Sequence, residues 1–274
     1  MGWTSRVAVG GLGAAVLAAG VWTAGGLASV ASADAAIDGL VVNGRVTSTV
    51  NSFWFGQMNR DGLCNVMAGC LAARGEGDSW VLTIAMPVAI PGVSSVDVNV
   101  QVTERVPLKS MSLKMTYSSA QLGDLDASMT VSLSPRGGDT DVVLTMEKVT
   151  ATGAIATGVA SFASALQPRM TATMAQLSED RVIAGTKVRL AISRSGKATV
   201  VVTGKGLAKG SPVASGTVYM VAGDKVVCTG NVSRSRGSCK LPKLAPGTEV
   251  RATVVGQFDN GYPIWNSDAD EVRR

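Results

Sequence analysis

The sequence predicts an α+β domain followed by an all-β sandwich, both placed after an export leader. Three observations carry this prediction. A long apolar run opens the 274-residue chain, and alternating strands with one long amphipathic segment fill the first half. Short alternating strands broken by Gly, Pro and Asp/Asn turns fill the second half. The expected ranges are 1–33 for the leader, 36–180 for the first domain and 185–274 for the second.

The leader has the composition of a secretory signal peptide. Arg6 is its only charge before an apolar run from Val7 to Val30, and Ala31-Ser32-Ala33 supplies small residues at cleavage spacing. The run is also long enough to cross a bilayer, so an uncleaved anchor is the alternative. We expect an extracellular protein, secreted or associated with the cell envelope, that meets a membrane only through an uncleaved leader.

The first domain begins with a strand over residues 38–47 and a short helix capped by Ser48 or Thr49. We expect Val50, Trp54 and Met58 on the inner face of this helix, and a loop with Asp61, Cys64 and Cys70 after it. Five alternating segments follow, and each has one apolar and one polar face. They predict an antiparallel sheet that is covered on one side. The segments start near Trp80, Val96, Met111, Ala127 and Val142.

A long amphipathic helix is predicted to cover this sheet. From Ile155 to Leu177, apolar residues recur at intervals of three or four over about six turns. Pro168 lies inside the segment, removes one backbone hydrogen bond and should kink the helix.

This order of elements resembles the helix-grip fold of the START-like (SRPBCC) superfamily. Within it, the sequence is most similar to the G-subunit family of carbon monoxide dehydrogenase. Met67-Ala68 here replaces the Ile/Leu-Pro pair of that family. The resemblance implies a cavity between sheet and helix that holds a hydrophobic small molecule or lipid. It rests on Phe53-Trp54-Phe55 followed by Asp61, on Asn65 to Cys70, on the Gly137-Gly138-Asp139-Thr140 turn and on the terminal helix.

Methionine-rich faces favour such a cavity, because flexible thioether side chains adapt to irregular ligands. The alternative is that these methionines are ordinary core residues on faces that must be apolar in any case. We predict ligand contacts from Met115, Tyr117, Met129, Phe162, Leu166 and Met170, and further walls from Met111, Met146 and Met174.

The second domain is a series of short strands with apolar residues on one face. Its sequence is similar to bacterial Ig-like repeat domains, which implies a β-sandwich that acts as a spacer or adhesion module and contributes no catalytic residues. The closing segment of that family is altered here to Phe258-Asp259-Asn260-Gly261-Tyr262. The similarity rests on residues 215–220, 225–228, 244–248 and 250–254.

Four cysteines occur as two close pairs, Cys64 with Cys70 and Cys228 with Cys239. An even, paired count in an exported protein indicates disulfide bonds. A zinc site is the weaker alternative, because the sequence has no histidine and no Cys-x-x-Cys spacing.

The two halves differ in charge. Residues 34–180 hold nine Lys/Arg and fourteen Asp/Glu, whereas residues 181–274 hold fifteen and six. Four cations around the predicted hairpin of the second domain form a candidate anion-binding patch for an anionic cell-envelope polymer. A solvated basic loop is the alternative, and nucleic acid is not expected, because no aromatic residues interleave the charges. The patch consists of Arg234, Arg236, Lys240 and Lys243.

The sequence contains few residues in the arrangements that catalysis requires. Histidine is absent, which excludes Ser-His-Asp and Cys-His catalysis. We assign Asp124 and Asp126 to a solvated sheet face, and we expect no enzyme activity, cofactor or metal. We also assign four polar residues near the C-terminus to turn chemistry rather than to calcium binding. They are Asp259, Asn260, Asp268 and Asp270.

The sequence therefore predicts a secreted, non-catalytic binding protein for a hydrophobic ligand. A structural or adhesive surface protein with a filled core is the alternative, and a START-like enzyme such as a cyclase is the third hypothesis. A void of roughly 300 Å³ or more under Phe162 and Leu166 distinguishes the first two.

Overall fold

A seven-stranded antiparallel sheet and a long helix make up the first half of the protein. The computed structural model describes residues 34–67, 69–90, 92–204, 213–259 and 263–272, so the predicted leader lies outside the described residues. The elements are β1 (Ala35–Val46), α1 (Val50–Gln57), α2 (Arg60–Val66), β2 (Cys70–Glu76), β3 (Ser79–Ile90), β4 (Val93–Val106), β5 (Ser110–Ser119), β6 (Gly123–Arg136), β7 (Asp139–Ala151) and α3 (Gly153–Ala184).

The strands β2 to β7 pair with their neighbours in sequence order, and β1 joins the sheet beside β7. With two short helices after β1 and a long helix after β7, this is the element order expected of a helix-grip fold. Alternation explains the sheet, because Val98 and Val100 point into the core while Asp97 and Asn99 point out.

The short helices differ in detail from the prediction. Thr49 caps α1 as expected, and its hydroxyl accepts a hydrogen bond from the Ser52 N–H. Phe53, rather than Trp54, is the aromatic residue buried on this helix. The predicted loop is instead α2, which Asn59 caps. A Cβ atom at Gly62 would lie 1.9 Å from the Gln57 carbonyl oxygen, so the missing side chain lets α2 abut α1.

The long helix α3 is confirmed and lies along β1, the edge strand of the sheet. A Cβ atom at Gly44 would lie 2.9 Å from Cγ of Met174, so glycine permits the close approach. The side-chain amide of Gln167 bonds both the N–H and the carbonyl of Asn43, at 3.0 and 2.9 Å. The helix thereby satisfies backbone groups that an edge strand would otherwise expose.

The second half forms another seven-stranded antiparallel sheet, in the order β14-β13-β10-β11-β12-β9-β8. Its end strands, β8 and β14, also contact each other, so the sheet curls back on itself. The predicted all-β character is confirmed. The elements are β8 (Lys187–Ile192), β9 (Lys197–Thr203), β10 (Ala214–Ala222), β11 (Lys225–Ser233), β12 (Arg236–Lys240), β13 (Glu249–Phe258) and β14 (Pro263–Val272).

Buried hydrophobic residues separate into two clusters, one in each half. The first extends from Val42 to Leu177 and the second from Ala198 to Ile264. The polypeptide from Ala31 to Arg274 nevertheless forms one compact unit. The two halves meet where Phe55 of α1 stacks on Tyr219 of β10, with ring centroids 4.3 Å apart and ring planes inclined by 6°. The expected domain limits stay predictions.

Both predicted disulfide bonds are present. Cys64 in α2 is bonded to Cys70 at the start of β2, and Cys228 in β11 is bonded to Cys239 in β12. The zinc alternative is therefore excluded for these cysteines. Among the described residues, no helix has the length and apolar character needed to cross a membrane.

Candidate functional site

An apolar cavity of about 30 Å³ lies between the first sheet and the three helices. Its floor is a row across three strands, because Met111 on β5 pairs with Val131 on β6, which pairs with Leu144 on β7. Its roof is one face of α3. The complete lining is Phe53, Gln57, Met58, Gly62, Leu63, Val66, Met111, Val131, Val142, Leu144, Met170, Met174 and Leu177.

The cavity wall is almost entirely apolar. Gln57 is the one lining residue with a polar side chain, and Met58, Met111, Met170 and Met174 supply four thioethers. Such a wall favours an apolar guest, because a polar guest would lose its hydrogen bonds to water without replacement. A volume of this size holds about one water molecule, well below the roughly 300 Å³ at which ligand pockets begin.

The predicted ligand residues all lie in or against the first core. Met115, Met129, Leu166 and Met170 are buried, whereas Tyr117 and Phe162 are partly buried. Of these six residues, Met170 alone lines the cavity, which lies farther along α3 than the expected position under Phe162 and Leu166. The ligand-binding role of all six stays a prediction.

The contribution of α1 and α2 to the cavity was not predicted from the sequence. Phe53, Leu63 and Val66 line it, although the segment around Leu63 was expected to be a loop. A signal for α2 is present in the sequence, because Asn59 is a favoured N-cap residue and accepts hydrogen bonds from the N–H groups of Asp61 and Gly62.

An open groove of about 570 Å³ lies beside α3 and is lined by residues of β1, β7 and α3. Arg45 and Asp141 lie on its rim, and the Nε of Arg45 donates to the Asp141 carboxylate at 2.6 Å. This hydrogen bond lowers the pKa of Asp141 below its ordinary value. Both charges are therefore engaged with each other, and the groove offers no free ion to a ligand at this point.

The four cations of the predicted anion-binding patch are all exposed on or beside the β11–β12 hairpin. Register adds two cations that sequence reasoning missed. Lys197 on β9 is directly opposite Lys240 on β12, and Arg189 on β8 shares a row with Arg236 through Val201. The patch is therefore part of a wider basic surface on three strands.

The acidic pair of β6 does not approach the cavity. Asp124 accepts a hydrogen bond from the Ser118 hydroxyl at 2.6 Å, and Asp126 forms an ion pair with Lys114 at 3.1 Å. Both carboxylates are exposed. Each has its own partner on the polar face of the sheet, as expected for solvated charges.

No protein-family model and no curated protein matches the sequence. Among solved structures, a conserved protein from Geobacillus kaustophilus is 20% identical, over 51% of this chain and 96% of that chain, with a TM-score of 0.40. Norcoclaurine synthase from Thalictrum flavum is 14% identical, over 60% of this chain and 98% of that chain, with a TM-score of 0.31.

A longer alignment is found with the di-domain ARO/CYC BexL from the BE-7585A biosynthetic pathway. It is 8% identical, over 87% of this chain and 82% of that chain, with a TM-score of 0.34. Because identities and TM-scores are this low, the fold assignment of the first half rests on its strand order and on the position of α3.

Proposed function

We propose that the protein is an exported, non-catalytic binding protein whose first half takes up a small hydrophobic molecule. The observation that carries this proposal is the cavity under α3, because Gln57 is its one polar lining side chain and four methionines form much of its wall. Methionine is unbranched and has three rotatable side-chain bonds, so such a wall adapts to a guest more readily than a branched one.

Uptake requires the cavity to grow. Its observed volume of about 30 Å³ accommodates no organic ligand, so the methionine side chains must rotate outward as the guest enters. The side chain of Met174 is well placed for this, because it lines both the cavity and the open groove beside β1. The groove supplies the route by which an apolar guest reaches the interior.

The second half is proposed to be an Ig-like spacer or attachment module. If the strands β8 to β14 are lettered A to G, hydrogen-bonded neighbours follow the order A-B-E-D and C-F-G. The same neighbours occur in the two sheets of an immunoglobulin constant-type domain, which supports the proposal. In this protein β11 also pairs with β10, and β8 contacts β14, so the two sets form one curled sheet.

The chemistry of the cavity supports a non-catalytic role. A cyclase-like enzyme needs at least two polar groups that converge on its substrate, and the lining supplies one. The two disulfide bonds support an oxidising, extracellular environment, where such bonds form and persist.

Native mass spectrometry of the secreted protein, combined with titration by the apolar fluorescent probe N-phenyl-1-naphthylamine, tests the proposal. We expect a co-purifying apolar molecule or saturable probe binding. Val131→Phe fills the cavity floor and should abolish binding, whereas Val226→Phe on the exposed face of β11 should leave it unchanged. Thermal unfolding of both variants shows whether each is folded.

A structural or adhesive protein with a filled core is the second candidate, and the small size of the cavity favours it. It is supported if the secreted protein carries no apolar molecule and the probe shows no saturable binding. Equal probe binding by Val131→Phe and Val226→Phe would also contradict uptake into the cavity, since it would locate the probe elsewhere.

A further inference from the structure

The outward surface of β8, β9 and β12 is a basic face, and none of these strands contains an acidic residue. Lys240 is directly opposite Lys197, while Arg236 is opposite Val201, which is opposite Arg189 on β8. The four cations are exposed, and we define them as the basic face. With strands about 4.8 Å apart, the two lysines are separated by about 5 Å at Cα and the two arginines by about 10 Å.

This arrangement does not favour folding. Like charges directly opposite each other on neighbouring strands are destabilising, and a neutral or acidic residue at position 197 or 240 would relieve the repulsion. Among the described residues, no ion pair involves any of the four cations of the basic face, and the Arg251–Glu249 pair of β13 lies elsewhere. A local rule broken without compensation indicates a functional surface.

The β11–β12 hairpin beside the basic face also has residues that do not favour its folded conformation. Arg234 and Ser235 have φ angles of 51° and 63°, a left-handed conformation for which Gly and Asn are favoured in two-residue turns. Ser235 is held in place because its N–H donates to the Ala214 carbonyl and its hydroxyl accepts from the Ala214 N–H. The exposed arginine next to it extends the positive charge beyond Arg236.

We propose that the basic face binds a linear polyanion that carries phosphate groups. The exposed arginines Arg189 and Arg236 lie on either side of Val201, on the two neighbouring strands. The planar guanidinium group of arginine matches phosphate oxygens in a bidentate geometry. The lysine pair adds two positive charges on side chains whose Cα atoms are about 5 Å apart, which concentrates the field where successive phosphates would lie.

A second copy of the protein is a poorer occupant, although the first half is acidic. Five of the fourteen acidic residues in residues 34–180 form ion pairs within their own half, so part of its negative charge is already engaged. These carboxylates are Asp61, Asp78, Asp97, Asp126 and Asp141.

The test measures binding of inorganic polyphosphate to the oxidised, full-length protein by titration calorimetry at about 50 and 200 mM salt. Lys197→Gln/Lys240→Gln removes the facing lysines. Lys148→Gln/Lys225→Gln removes the same charge from exposed positions outside the face. We expect the first variant to bind roughly tenfold or more weakly than the second. For the first variant, the slope of log affinity against log salt concentration should be smaller in magnitude by about two than for the second variant.

Folding is checked by thermal unfolding. Removal of the facing lysines should leave the Tm unchanged or raise it, because it removes a repulsion, and a loss of binding without a loss of stability supports a binding role. Arg236→Gln provides a second variant that keeps the lysine pair and should also bind more weakly.

Three outcomes would overturn the proposal. The first is that the two double variants bind polyphosphate equally. The second is that polygalacturonate binds as tightly as polyphosphate, which would remove the preference for phosphate. The third is that the protein self-associates at low salt without polymer and that Lys197→Gln/Lys240→Gln abolishes this association, in which case the occupant is a second copy.

Discussion

Neighbouring side chains on the polar face of the first sheet lower the pKa of Asp97. Its carboxylate accepts hydrogen bonds from the guanidinium of Arg74 and from the hydroxyl of Thr83, at 2.5 and 2.7 Å. The bond from Arg74 is the larger cause, and together they lower the pKa of Asp97 below its ordinary value. Any stabilisation from this group is present above the pKa of an unfolded Asp and disappears as pH falls through the lowered value.

We expect Arg74→Gln to raise the pKa of Asp97 toward its ordinary value, because the largest cause of the shift is removed. An NMR titration of the Asp97 side-chain carboxyl carbon measures this directly. Arg60→Gln is the matched control, since Arg60 pairs with Asp61 instead. An Asp97 titration that is identical in wild type and Arg74→Gln would contradict this account.

At the scale of elements, α3 acts as a partial eighth strand on the first sheet. The amide of Gln167 reproduces the donor and acceptor of a neighbouring strand beside Asn43, and the hydroxyl of Ser178 accepts from the Thr47 N–H at 3.0 Å. The free edge of β1 is thus partly covered by side chains of a helix, which reduces its tendency to pair with another polypeptide.

Gln167→Ala should lower the free energy of unfolding by about 1 kcal/mol and speed hydrogen exchange at the Asn43 amide. Alanine favours helix, so a loss cannot come from helix propensity. Arg169→Ala, an exposed residue of the same helix, is the control. Unchanged exchange at Asn43 would show that the amide pairing contributes nothing in solution.

The sequence pattern predicted most of the strands and helices, but it predicted few of the neighbours that they pair with or pack against. Alternation assigned Val98 and Val100 to the core, because the period of two fixes which face a side chain takes. It could not place Lys197 beside Lys240, since the residues are 43 positions apart and alternation does not specify the neighbouring strand. The position of the cavity was missed for a related reason, because it depends on how α1 and α2 pack over the end of the sheet.

For the whole molecule, the stack of Phe55 on Tyr219 is one of the contacts that link the two halves, since α1 also packs on β13 and both α1 and α3 contact β14. Tyr219 is opposite Thr253 on β13, whose buried hydroxyl has no hydrogen-bond partner among the described residues. Because helices of the first half contact strands of the second at several places, the halves are expected to behave as one cooperative unit rather than as independent domains.

A double-mutant cycle with Phe55→Leu and Tyr219→Leu measures this link. We expect a coupling free energy of about 0.5–1.5 kcal/mol, because stacked aromatic rings interact by that amount beyond the area they bury. Phe55→Leu combined with Tyr117→Leu, on a distant strand of the first sheet, should give additive effects. A coupling near zero between positions 55 and 219 would show that the stack contributes no interaction between the halves.

The curl of the second sheet has a geometric consequence for a tethered molecule. Helix α1 contacts β13 and β14, whereas the lysine pair is on β9 and β12, and contact between β8 and β14 turns these two regions away from each other. A polyanion bound along the lysines would lie on the side of the curled sheet opposite α1. The helix-bearing half would then face away from the bound polymer.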